Sequence, residues 1–179
     1  SWSWAYHILP YLEQSALHAS TDPAVVCRTP VPVYYCPARR APHLYNGMAL
    51  TDYAANAGTV PTGANGALMM TPLGAIRLTD VTDGTSATAL LGEKRLNRAA
   101  VGTAIDDNEA YCVPGWNDDY DVYRTGGPPA PDFAGAPGPT PANTVFGSAH
   151  AGGFNVAFCD GSVRFVRYGV SGPTWARVC

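Results

Sequence analysis

Hydrophobic and polar positions alternate most clearly near the C-terminus. Phe154, Val156 and Phe158 are interleaved with Asn155, Ala157 and Cys159, the period of a strand with one buried face. Asp160-Gly161 follows, a pair suited to the positive backbone angles of a two-residue hairpin turn, and Val163, Phe165 and Tyr168 begin a return strand. The pattern predicts a tight hairpin over 154–168, launched after the break at Gly152-Gly153. A second strand is predicted along SATALLGEK, running into Glu93 after a turn at Thr82–Thr85. In that turn Asp83 hydrogen-bonds the backbone and Gly84 ends it. Near the N-terminus Ile8, Leu9, Tyr11, Leu12 and Leu17 can share one face of an amphipathic helix, with Glu13 and Gln14 outside and Pro10 in its first turn. Val31, Val33 and Tyr35 predict a short strand ending at Cys36-Pro37. Residues 51–75 read as a long loop of small residues that touches the core at Met69-Met70, and residues 126–143 as an extended Pro/Gly/Ala surface loop.

These elements predict an α+β fold in a single domain over 1–179. One N-terminal helix packs on an antiparallel sheet whose central strands are the 154–168 hairpin, and long loops complete it. Composition agrees. Only 14% of residues are charged, while 19 are Gly and 16 Pro, which favours a loop-rich β or α+β domain over a helical bundle. The net charge of −3, with no Lys/Arg block, argues against a nucleic-acid partner. No apolar run approaches the ~20 residues that span a bilayer.

Five cysteines, Cys27, Cys36, Cys112, Cys159 and Cys179, form no paired short-spacing set of the zinc-finger kind. Cys27 with Cys36 would close a small loop, and Cys112 or Cys159 would hold the tail through Cys179. An odd number leaves at least one thiol free or bonded to another chain.

Candidate chemistry is concentrated in four places. Asp106, Asp107, Asp118, Asp119 and Asp121 supply oxygen-only ligands of the kind calcium takes, although the spacing is not that of an EF-hand, and a solvated acidic loop is the simpler reading. Trp116, Tyr120 and Tyr123 are interleaved with those acids, a combination that sugar-binding sites use. Arg39, Arg40 and His43 form a small basic cluster, read as a solvated loop. Glu93 lies in an otherwise apolar strand, where pairing with Arg95 or Arg164 would satisfy it. His150 and Asp160 invite a catalytic dyad, but opposite ends of a hairpin stand roughly 20–30 Å apart, too far for proton transfer. No GxSxG elbow or HExxH motif occurs. No catalytic residue is expected.

Five stretches carry a family resemblance: ILPYLEQSALH at 8–18, YYCPARR at 34–40, TDYAANAGT at 51–59, VTDGTSATALLGEK at 81–94, and His150 followed by nine residues and Asp160-Gly161. In this order, over nearly the whole chain, they resemble the planctomycete-type prepilin-type processing-associated proteins, named for that His–nine residues–Asp-Gly pattern. One departure is Ala87, where the family pattern usually has Asn. The resemblance implies an exported, extracellular or periplasmic, pseudopilin-like protein with a pilin-like globular head. It also implies disulfides in preference to metal ligation by the cysteines. A full-length relative would carry a basic leader and a long apolar helix ahead of the first residue here, and membrane attachment is expected only through such a helix.

The functional expectation is a non-catalytic head domain with a structural or assembly role in a pilus- or secretion-associated system. Its partners would be further copies of itself or pilin-like subunits. The alternative is an extracellular solute- or glycan-binding module, calcium-dependent through the acidic loop.

Overall fold

A computed structural model of the protein describes residues 2–60, 62–63, 65–69, 73–113, 121–135 and 144–179. Its centre is a five-stranded sheet built from β1 (Tyr53–Asn56), β2 (Ala89–Glu93), β3 (Tyr123–Arg124), β4 (Gly153–Phe158) and β5 (Val163–Arg167), in the order β3-β1-β2-β4-β5. The expected hairpin is present as β4 and β5, with Gly161 at φ 82 in its turn. Only β4 is central, since β5 forms an edge. The sheet is mixed, because β3 runs parallel to β1 while the other pairings are antiparallel.

Strand alternation gives the sheet two unlike faces. The register aligns Ala54, Gly92, Val156 and Arg164 in one row and Ala55, Leu91, Ala157 and Val163 in the next. The first row belongs to the thicker side, where Phe146, Phe154, Val156 and Phe158 pack with Trp175. Gly92 is required there, because a Cβ would stand 2.8 Å from the Phe146 ring. Trp175 comes from the terminal helix α4 (Gly172–Ala176; α1–α3 are given below), which Ser171 caps by accepting from the Thr174 amide. The tail is thus fastened to the body by Trp175 packing, with Cys179 a free thiol. The second row is covered by Trp4 near β1 and β3 and left open toward β5.

The N-terminal region forms a separate aromatic cluster containing Tyr6, Leu9, Val26, Tyr34, Tyr35 and Tyr111. The single amphipathic helix expected there is absent. Three short pieces replace it: α1 (Trp4–His7), a 3-10 turn (Leu9–Leu12) and α2 (Ser15–His18). Pro10 withholds an amide, and Glu13 takes the left-handed conformation at φ 60, so the chain cannot continue as one helix. A further short helix, α3 (Pro23–Cys27), is capped by Asp22. The strand expected at Val31–Tyr35 is a 3-10 turn over Pro32–Tyr34, with Pro32 supplying its fixed φ at the first position. Conversely, TDYAAN contains β1 where a loop was expected. Its alanines are small enough to lie flat between β2 and β3.

The expected disulfides are replaced by Cys27–Cys112, which ties α3 to the segment before β3. Cys36, Cys159 and Cys179 are free thiols. Such a bond agrees with an exported protein.

Candidate functional site

Arg39 and Arg40 of the basic cluster and Asp106 and Asp107 of the acidic one lie in one ion network inside the protein, while His43 is exposed. Arg39 and Arg40 are buried, not solvated. Arg39 pairs with Asp52 at 3.1 Å and Asp132 at 2.9 Å, and Arg40 pairs with Asp52 at 2.7 Å and Asp107 at 2.6 Å. Lys94 reaches Asp107 at 3.3 Å, and Arg124 reaches Asp106 at 3.3 Å. Alternating charges of this kind are the arrangement that makes burial of so many ions tolerable. Burial would raise the Asp107 carboxyl, but Lys94 and Arg40 hold it below the ordinary range. Burial lowers the Lys94 ammonium, with Asp107 opposing.

Asp106, Asp107 and Asp121 are therefore not the solvated loop residues that their spacing suggested. Asp106 and Asp107 face cations of the protein itself. Asp121 accepts from the amides of Asn108 and Glu109, and burial pushes its carboxyl up to about 7. Tyr123 is buried in β3, where its ring packs against core and is not presented to a ligand. Trp116, Asp118, Asp119 and Tyr120 lie outside the described residues. Asp83 and Gly84 sit in an exposed turn, with Gly84 at φ 93.

The two parts of the hairpin signature separate as expected. Asp160 serves the turn, where its Oδ1 accepts from the Ser162 amide at 2.9 Å and hydroxyl at 2.7 Å. His150 lies at the mouth and turns toward Glu93, which was expected to pair with an arginine. His150 Nε2 is 3.4 Å from Glu93 Oε1 and 3.7 Å from Cys36 Sγ. These three side chains place one ligand-type atom each within 4.8 Å of the others, the one such group among the described residues.

Each member is held by its own element. Cys36 follows the Pro32–Tyr34 turn, and its amide donates to Asp52 Oδ2 at 2.7 Å, so the ion network fixes its backbone. Glu93 ends β2, and its Oε2 accepts from the Asn155 amide at 2.6 Å and the Asn155 side chain at 3.2 Å. His150 is positioned through Ser148, whose Oγ accepts from the His150 amide and donates to the Gly153 carbonyl. The imidazole packs edge-on against Phe165. Cys36 and Glu93 are buried, whereas the His150 side chain is 35% exposed and opens the cluster to solvent.

This arrangement is not a nucleophile relay. A relay uses one ring nitrogen for the nucleophile and the other for the orienting carboxylate. Here thiol and carboxylate both face Nε2. Burial and the neighbouring Glu93 carboxylate also push the Cys36 thiol up to about 11, away from the reactive thiolate.

A family model described as "Protein of unknown function (DUF1559)" matches residues 1–171. The chain belongs to that family. No curated protein matches it, and no solved structure does. In this DUF1559 chain the five stretches with family resemblance are dispersed over the fold, yet three of them converge. YYCPARR supplies Cys36, the stretch ending LLGEK supplies Glu93, and the hairpin signature supplies His150. Sequence reasoning weighed His150 against Asp160 and Glu93 against arginines. Cys36 was weighed as a disulfide partner only, because nothing in linear order links residues 36, 93 and 150.

A second feature is a groove of about 400 Å³ between the N-terminal turns and the open sheet face. Trp4, Ile8 and Leu12 line one side, and Leu91, Ala157 and Val163 the other. It runs out onto β5, where Val163 and Phe165 are 68% and 53% exposed.

Proposed function

We propose that this chain is a non-catalytic head domain of an exported, pseudopilin-like protein, and that it works by assembly with further copies of itself. The observation that supports this reading is the apolar groove continued by Val163 and Phe165 on an edge strand. Large apolar side chains are rarely left side by side on a free strand edge, where backbone groups also await partners. A like subunit laid along β5 would cover both the apolar side chains and the unpaired edge. The ion network and the Cys27–Cys112 bond make the rest of the head stiff enough to present that edge.

The test is sedimentation velocity across a concentration series, comparing the protein with Val163→Glu/Phe165→Glu. Both side chains are largely exposed, so circular dichroism and thermal unfolding should be unchanged. The expected result is concentration-dependent association that the double variant abolishes. Absence of association in the parent protein, or association that the variant leaves intact, would refute the reading.

A further inference from the structure

We propose that Cys36, Glu93 and His150 form a binding site for a zinc-class divalent metal ion, with a fourth position open to water on the His150 side.

Distances carry the argument first. Typical bond lengths to zinc are about 2.3 Å for sulfur, 2.0–2.1 Å for imidazole nitrogen and 2.0–2.2 Å for carboxylate oxygen. At tetrahedral angles these lengths put sulfur and nitrogen about 3.6 Å apart and nitrogen and oxygen about 3.4 Å apart. The observed separations are 3.7 Å from Cys36 Sγ to His150 Nε2 and 3.4 Å from His150 Nε2 to Glu93 Oε1. The 3.4 Å separation is longer than a good N–H···O hydrogen bond, and the 3.7 Å one is within reach of a weak sulfur hydrogen bond; both fit two ligands of one ion.

A second observation concerns the Glu93 carboxylate itself. Glu93 is fully buried, and its Oε1 has no hydrogen-bond partner, while Oε2 is taken by Asn155. A buried carboxylate oxygen left without a hydrogen bond is costly, and this one is aimed at the imidazole and the thiol. A cation at the centre of the cluster would satisfy it.

The donor set decides the class of ion. One sulfur, one imidazole nitrogen and one carboxylate oxygen suit zinc and its neighbours, whereas calcium takes oxygen alone. Charge agrees too. A thiolate and a carboxylate neutralise a divalent ion, which lowers the cost of holding it in a buried place. On binding, Cys36 Sγ–H gives its proton to solvent as the sulfur–metal bond forms, Glu93 Oε1 binds as carboxylate, and His150 offers the Nε2 lone pair with its proton on Nδ1. No oxidation occurs. Outer partners are already in place, since Asn155 orients Glu93 and Asp52 holds the Cys36 backbone.

The experiment is titration of the full chain with cobalt(II), then displacement by zinc. The expected result is one cobalt per chain, visible d–d absorption of a four-coordinate ion, and a thiolate-to-cobalt charge-transfer band that zinc removes. Cys36→Ser should abolish the charge-transfer band. Glu93→Gln and His150→Ala should each weaken cobalt binding by more than about 100-fold, beyond the 10–100-fold expected for loss of an outer partner. Cys159→Ser/Cys179→Ser should leave the spectrum unchanged. His150→Ala in that background serves if Cys36→Ser does not fold, because the imidazole is partly exposed. The proposal is overturned by a parent protein without the band, by a band that survives Cys36→Ser, or by cobalt affinity that His150→Ala leaves intact. None of these outcomes depends on self-association.

Discussion

Removing the Asp107 carboxylate puts the buried ion network to a quantitative test. Its Oδ2 accepts from Arg40 Nη1 at 2.6 Å and from the Gly102 amide at 3.0 Å, and its Oδ1 from Arg40 Nη2 at 2.8 Å and Lys94 Nζ at 3.3 Å. In Asp107→Ala, Arg40 keeps Asp52 at 2.7 Å, but Lys94 keeps only the carbonyls of Asp106 and Asp121. Lys94 is then the uncompensated charge. Breaking a buried pair from one side costs about 3–5 kcal/mol. A ceiling exists, because Lys94 can shed its proton. At pH 7 that costs an ordinary lysine about 4.6 kcal/mol, from about 3.4 pH units at about 1.36 kcal/mol each. The expected loss is therefore about 4 kcal/mol, including the orphaned Gly102 amide.

Urea unfolding at pH 7, followed by tryptophan fluorescence with the disulfide intact, measures it. Lys94→Met should return at least about 2 kcal/mol to Asp107→Ala, since it removes the orphaned charge. The pH dependence has a definite sign. Burial already depresses the Lys94 ammonium in the parent, and loss of Asp107 depresses it further, so the folded variant binds fewer protons than the folded parent and the variant's deficit shrinks as pH rises from 7 toward 10. A loss below about 1 kcal/mol, or a double variant no better than the single one, would show that Asp107 and Lys94 are not coupled.

Two other predictions concern acid and redox conditions. Burial raises the Asp121 carboxyl from its ordinary range to about 7, so the folded state binds a proton that the unfolded state has lost. Stability should fall as pH rises from about 4 to about 7, and Asp121→Asn should flatten that part of a pH–stability curve. Asp107, held low, acts only at more acid pH and in the opposite direction. Reduction of Cys27–Cys112, whose cysteines are 85 residues apart, should cost about 4–5 kcal/mol by the chain-entropy estimate, seen as a lower urea midpoint. Non-reduced peptide mapping should recover that bridge and alkylation of Cys36, Cys159 and Cys179 only.

What the sequence made legible was local. The 154–168 hairpin could be read because strict alternation, a Gly-Gly break and Asp-Gly all sit within one short stretch, and the strand ending at Glu93 for similar reasons. β1 was hidden because TDYAAN has small side chains whose burial depends on neighbours far along the chain. Pro32 overrode the alternation of Val31, Val33 and Tyr35, while Pro10 and the left-handed Glu13 broke a helix that apolar spacing alone suggested. The candidate site was least legible. Arg39 and Arg40 look like surface charge until Asp52, Asp107 and Asp132 are brought to them by the fold. Glu93 and His150 were each singled out, but for other partners, since 57 residues separate them.

The covalent bridge between Cys27 and Cys112 encloses β1 and β2 but leaves β4, β5 and α4 outside the loop. A tether pulling on the two ends of the chain would load the bridge directly. The 85-residue span within it, about 290 Å of fully extended backbone, would stay slack while the terminal portions peeled away. Under tension the head would yield in two lengths, the enclosed one withheld until a reductant cut the sulfur bond.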